Sequence, residues 1–116
     1  MRLDAQQKAQ ARRIATEMAQ IARSGMVLPG TLAARSMRCG QPGCRCHGDP
    51  PVRHGPYWSW TRKVRAKTVA RWLSDEQAED YRAFLDNARR LRALVAELEA
   101  LSLTVADADP RWNRPR

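Results

Sequence analysis

Between Cys39 and Pro56 the chain places Gly40, Pro42, Gly43, Gly48, Pro50, Pro51, Gly55 and Pro56, a density of breakers that no helix or long strand survives. A segment this long stays ordered only around an internal organiser. The same stretch holds every cysteine of the chain and both histidines: Cys39, Cys44, Cys46, His47 and His54. Three thiols within eight residues make a local cluster, and an odd count argues against a disulfide framework. Zinc prefers four tetrahedral Cys or His ligands, and thiolates at this spacing converge once Gly and Pro turn the chain. Cys39, Cys44 and Cys46 supply three ligands. His54, which closes the loop from its far side just before a strand, is the choice for the fourth. His47 is the lesser candidate, because side chains of adjacent residues diverge and it follows Cys46 directly. The competing reading is a set of reduced, unliganded thiols or a redox pair.

Four protein ligands leave zinc no open position, so one structural ion is expected. A catalytic ion would need a vacant site and a nearby acid or base, and the loop offers Asp49 alone. Both histidines belong to the loop, which leaves no independent general base beside a nucleophile. The chain is expected not to be an enzyme.

The flanks of the loop have periodic order. From about Leu3 to Ser24, Ala11, Ile14, Ala15, Met18, Ile21 and Ala22 recur at helical spacing, and Gly25 ends the helix. Thr31 to Arg38 reads as a strand. Tyr57 to Val64 reads as a second, with Trp58, Trp60, Arg62 and Val64 on one face and Tyr57, Ser59, Thr61 and Lys63 on the other. A turn at Arg65–Ala66 leads to a third strand, Lys67 to Leu73. The turn lacks the glycine that favours such hairpins. Trp60 and Trp72 are expected in the core of the sheet. Ser74 and Gln77 form a capping box, and Asp75, Glu76, Glu79 and Asp80 suit the start of a helix. That helix is expected to run to about residue 104, with Tyr81, Phe84, Ala88, Leu91, Val95 and Leu98 as a heptad seam widened by Leu85, Leu94 and Leu101. Such a seam packs on the N-terminal helix or on a second copy of the chain. The expected class is α+β: an N-terminal helix over 1–24, a three-stranded antiparallel sheet with a zinc-knuckle-like loop (39–54) within 25–74, a long acidic helix over 75–104, and a flexible basic tail over 105–116.

At 116 residues the chain has room for one domain and little more, and its core is small enough that a metal staple would help. No apolar run has the length of a membrane helix, and the N-terminus lacks the apolar stretch of a signal peptide. A cytoplasmic, nucleoid-associated location is expected, with no membrane partner. The net charge of +9 is concentrated: residues 25–74 carry nine basic groups against Asp49 alone, whereas residues 75–109 are net acidic. A polyanion partner bound with counterion release is the simplest reading. Arg62, Lys63, Arg65, Lys67 and Arg71 crowd one hairpin, and Arg35, Arg38, Arg45 and Arg53 precede it. Arginine forks match phosphates and guanine edges, a two-stranded ribbon fits the major groove, and Trp58 suits stacking on bases.

Arg38-Cys39-Gly40, Pro42-Gly43-Cys44-Arg45-Cys46 and His54-Gly55-Pro56-Tyr57-Trp58, followed by a basic hairpin and a helix containing Arg89-Arg90-Leu91, resemble an uncharacterised bacterial and phage family. That family is known only as a domain of unknown function, with many members in mobile genetic elements. The likeness spans roughly Gly30 to Leu98. It implies that His54 is a motif position and His47 is not, and the hairpin turn departs from the glycine-containing turn of the family. The order of sheet, basic hairpin and helix is also similar, in architecture alone, to the arm-binding domains of tyrosine recombinases. Together these features lead to the expectation of a DNA-binding accessory factor acting in recombination or transposition beside a recombinase or transposase, with possible dimerisation through the 75–104 helix. The alternatives are an RNA-binding or ribonucleoprotein subunit, and a zinc-stabilised protein–protein adaptor.

Overall fold

In the computed structural model, which describes residues 2–112, the elements are α1 (Ala5–Ser24), β1 (Thr31–Met37), a 3-10 turn (Arg45–His47), β2 (His54–Val64), β3 (Lys67–Leu73) and α2 (Asp75–Asp107). The fold is α+β, as the periodicities imply. It divides into two compact units: Leu28–Asp86, and the segments up to Val27 and from Asn87 onward.

The Leu28–Asp86 unit is built on an antiparallel sheet of order β1-β2-β3. Its register pairs Ala33 with Ser59, Leu32 with Trp60, and Ser59 in turn with Trp72. Because strand side chains alternate, one face carries Trp58, Trp60 and Arg62 and the other Tyr57, Ser59, Thr61 and Lys63. The first turns of α2 cover the former: Trp60 meets Tyr81 edge-on with ring centroids 5.3 Å apart, and Tyr81 lies 6.0 Å from Phe84. The Trp60 indole N–H donates to the Pro29 carbonyl at 2.9 Å, so its polar edge is satisfied although the ring is buried. Ser74 and Gln77 form the expected capping box, with reciprocal bonds of 3.0 and 3.1 Å. Trp72 departs from expectation. Its partner in register is Ser59, so it lies on the face away from Trp60 and is 56% exposed.

In the other unit, Asp4 caps α1 in a capping box with Gln7, a pairing the apolar periodicity does not reveal. Ile14 and Ile21 of α1 are buried with Leu94 of α2, and Met18 and Leu91 pack against them. Arg13 bridges Glu17 and Glu97. Part of the α2 seam therefore packs on α1. That choice splits the seam: Leu94, Leu101 and Val105 are buried, whereas Val95 and Leu98 stay exposed. Ala15 and Ala22 of α1 are exposed as well. Helix α2 runs three residues past the expected end at 104, and the segment after it is held locally. Arg111 pairs with Asp109 at 2.8 Å, and the Trp112 indole donates to the Ala106 carbonyl at 2.5 Å. The remainder of the expected 105–116 tail, with Arg114 and Arg116, lies outside the described residues.

The β2–β3 hairpin closes through two residues, Arg65 and Ala66, with φ of 50° and 66°. Positive φ at both positions matches the twist of the strands, but costs an L-residue about 1–2 kcal/mol at each. Ala66→Gly is therefore expected to raise unfolding stability in urea by about 0.5–1 kcal/mol, after allowing for the greater freedom of glycine in the unfolded chain. An unchanged or lower stability would contradict a left-handed loop.

Candidate metal centre

The sheet itself delivers two of the cluster's side chains. Met37 pairs with His54 across a bulge at the end of β1, so Cys39, two residues on, emerges beside the start of β2. The intervening chain folds back through the 3-10 turn, with bonds from Cys44 N–H to Gln41 O (3.1 Å), His47 N–H to Cys44 O (3.0 Å), and Val52 N–H to Arg45 O (3.0 Å). These bonds return Cys44 and Cys46 toward the sheet end. Gly55, with φ of +109°, lets the chain turn from His54 into the strand. A Cβ there would stand 2.9 Å from the Arg35 carbonyl oxygen.

The ligating atoms of Cys39, Cys44, Cys46 and His54 all lie within 4.8 Å of one another. Cys39 Sγ is 3.5 Å from Cys46 Sγ, and Cys44 Sγ is 3.2 Å from His54 Nε2. A tetrahedral zinc with Zn–S of about 2.3 Å and Zn–N of about 2.0 Å needs S···S edges of roughly 3.8 Å and S···N edges of roughly 3.5 Å. These two edges are each about 0.3 Å short of that, and every other pair lies within 4.8 Å, so shifts of a few tenths of an ångström to about 1 Å admit the ion. Cys46 is fully buried; Cys39, Cys44 and His54 are half-buried. The Cys46 amide, followed by the Cys46 and Cys39 thiols and the His54 ring, draws the Cys44 thiol down to about 6. Burial pushes Cys46 in the opposite direction. A buried sulfur held beside two others is one whose deprotonation needs a cation, and zinc supplies it. The Cys39 amide also donates to Cys46 Sγ at 3.3 Å, orienting the sulfur.

Cys39, Cys44, Cys46 and His54 thus form a single Cys3His structural zinc site. His47 has a different role. Its Nε2 sits 2.6 Å from the Cys39 carbonyl, which can only accept, so the ring donates there and braces a ligand's backbone. Spacing along the chain ranks His54 above His47 but does not disclose this bond.

The basic side chains fall at two ends of β2. Arg62, Lys63, Arg65 and Lys67 surround the hairpin tip, while Arg38, Arg45 and Arg53 belong to the metal loop at the other end. Arg35 pairs with Tyr57 in register on the open face, whereas Arg71 pairs with Trp60 on the α2 side. The Arg62 guanidinium lies 4.7 Å from the Trp60 ring centroid, and its buried Nε has no hydrogen-bond partner among the described residues. Trp58 is half-buried, with the Arg82 guanidinium of α2 5.0 Å over one face of its ring.

Fold and site define a small α+β protein organised by one structural Cys3His centre. The family model described as "Domain of unknown function (DUF6788)" matches residues 4–83, and the chain belongs to that family. The match takes in α1 as well as the sheet and stops early in α2, so it begins and ends sooner than the motifs alone indicate. No curated protein and no solved structure matches the chain.

Native mass spectrometry is expected to find one zinc per chain. His54→Ala should lose the ion and expose residues 39–54 to protease, while His47→Ala should retain it. Loss in both variants, or in neither, would contradict the ligand assignment.

Proposed function

We propose that this protein is a non-enzymatic nucleic-acid-binding factor, with DNA favoured over RNA, acting as an accessory of a mobile element beside a recombinase or transposase. One observation carries the reading. The three strands contain no acidic residue, and basic groups stand at both ends of β2, about 35 Å apart for eleven extended residues. The acidic groups Asp75 and Glu76 belong to the first turn of α2, which follows the sheet, and Tyr81 of that helix packs on the Trp60 face. That leaves the opposite face and the hairpin tip to a polyanion. Zinc fixes one end of this surface and does no chemistry. The mobile-element role rests on the family resemblance, and the nucleoid location follows from the nucleic acid. No described helix is long and apolar enough to cross a membrane.

Affinity for a DNA duplex should fall steeply with salt. Neutralising Arg62, Lys63, Arg65 and Lys67 together is expected to flatten the slope of log K against log salt by about 3 to 4. An unchanged slope would remove the hairpin tip from the interface. Competition with structured RNA at equal salt decides between the two nucleic acids.

A second copy of the chain is the further partner we propose, on the exposed apolar residues Val95, Leu98 and Leu103 of α2, where they line an open groove of about 480 Å³ with Glu99, Ser102 and Ala106. Sedimentation should find a dimer that Leu98→Arg converts to a monomer without loss of helicity. A monomeric native protein would contradict it.

A further inference from the structure

We propose that the open sheet face is a stacking platform for unpaired bases, so that the preferred ligand is a single strand; this rests on the nucleic-acid reading above and adds the strandedness of the ligand. Tyr57 and Trp72 are 45% and 56% exposed and meet edge-to-face, with centroids 6.1 Å apart at 76°. Adjacent aromatic rings left bare on a sheet are unusual unless something covers them. Beside them Met37 and Leu73 complete an apolar recess of about 300 Å³. Ala33, Thr61 and Ala70 follow along the same face as small side chains, and Ser59 at its centre is already buried.

The charge around this face selects the occupant. Arg35 stands opposite Tyr57 in register, and Lys63 lies farther along β2 on the same side. An apolar protein segment gains nothing from these cations. A strand of nucleic acid brings both a π-face for each ring and a phosphate for each cation. Bases within a duplex are stacked on one another and offer no face to Tyr57 or Trp72. The same recess accepts DNA or RNA, since stacking is indifferent to the sugar.

The test uses the full, zinc-loaded chain and labelled oligonucleotides of about 20 nucleotides: one pyrimidine-rich strand as DNA, the same strand as RNA, and the DNA duplex. Fluorescence anisotropy should rank both single strands above the duplex, with tryptophan emission quenched on binding. The double variant Tyr57→Leu, Trp72→Leu should weaken single-strand binding at least tenfold, leave duplex binding unchanged and keep its zinc. Tyr57→Phe with Trp72→Phe should restore most of the loss. If the leucine variant binds single strands as well as the native chain, or weakens single strand and duplex alike, the platform is overturned while nucleic-acid binding stands. A native chain that binds no oligonucleotide overturns both. Binding of an apolar peptide at the recess in preference to every oligonucleotide would reassign the face to a protein partner.

Discussion

The bonds from three cysteine sulfurs and one imidazole to a zinc ion are the constraint on which the sheet depends. Without them, residues 40–53, between the ligands Cys39 and His54, would have to be ordered by a handful of backbone hydrogen bonds in a region thick with glycine and proline. The hydrophobic interior cannot take over the task. In the Leu28–Asp86 unit the buried apolar side chains are Cys46, Trp60, Ala78 and Leu85, and Cys46 is itself a ligand. A core so small needs a staple, and zinc binding contributes its free energy directly to folding.

The staple also decides which surface is presented. Coordination joins the end of β1 to the start of β2, and thereby sets the strand pair that carries Arg35 and Tyr57. At the other end of β2 a two-residue loop fixes the register with β3. Between these two fixed ends one face is covered by α2 through Trp60 and Tyr81, and the other retains its aromatic and basic side chains. In this account the metal acts on function only through geometry.

Much of this is legible in the residues. Period-two alternation sorts β2 into its two faces, Ser74 and Gln77 mark the start of α2, and the thiol cluster with a later histidine announces the ion. The expectation for Trp72 fails because it rests on the usual burial of aromatic residues in strands, and register overrides that tendency. A two-residue loop at Arg65–Ala66 pairs Val64 with Lys67, and stepping along the ladder brings Trp72 opposite Ser59, away from Trp60. The α2 seam is harder to read. A helix with apolar residues over a wide arc has two stripes to offer, and only the tertiary contact with Ile14 and Ile21 tells which one is used. The bond from His47 to the Cys39 carbonyl depends on how the loop closes in space, which spacing along the chain does not encode.

Zinc K-edge X-ray absorption on the purified protein addresses the central claim most directly. Three sulfur scatterers at about 2.3 Å and one nitrogen at about 2.0–2.1 Å are the expected first shell. A shell dominated by oxygen, or a folded protein with no bound metal, would contradict the account.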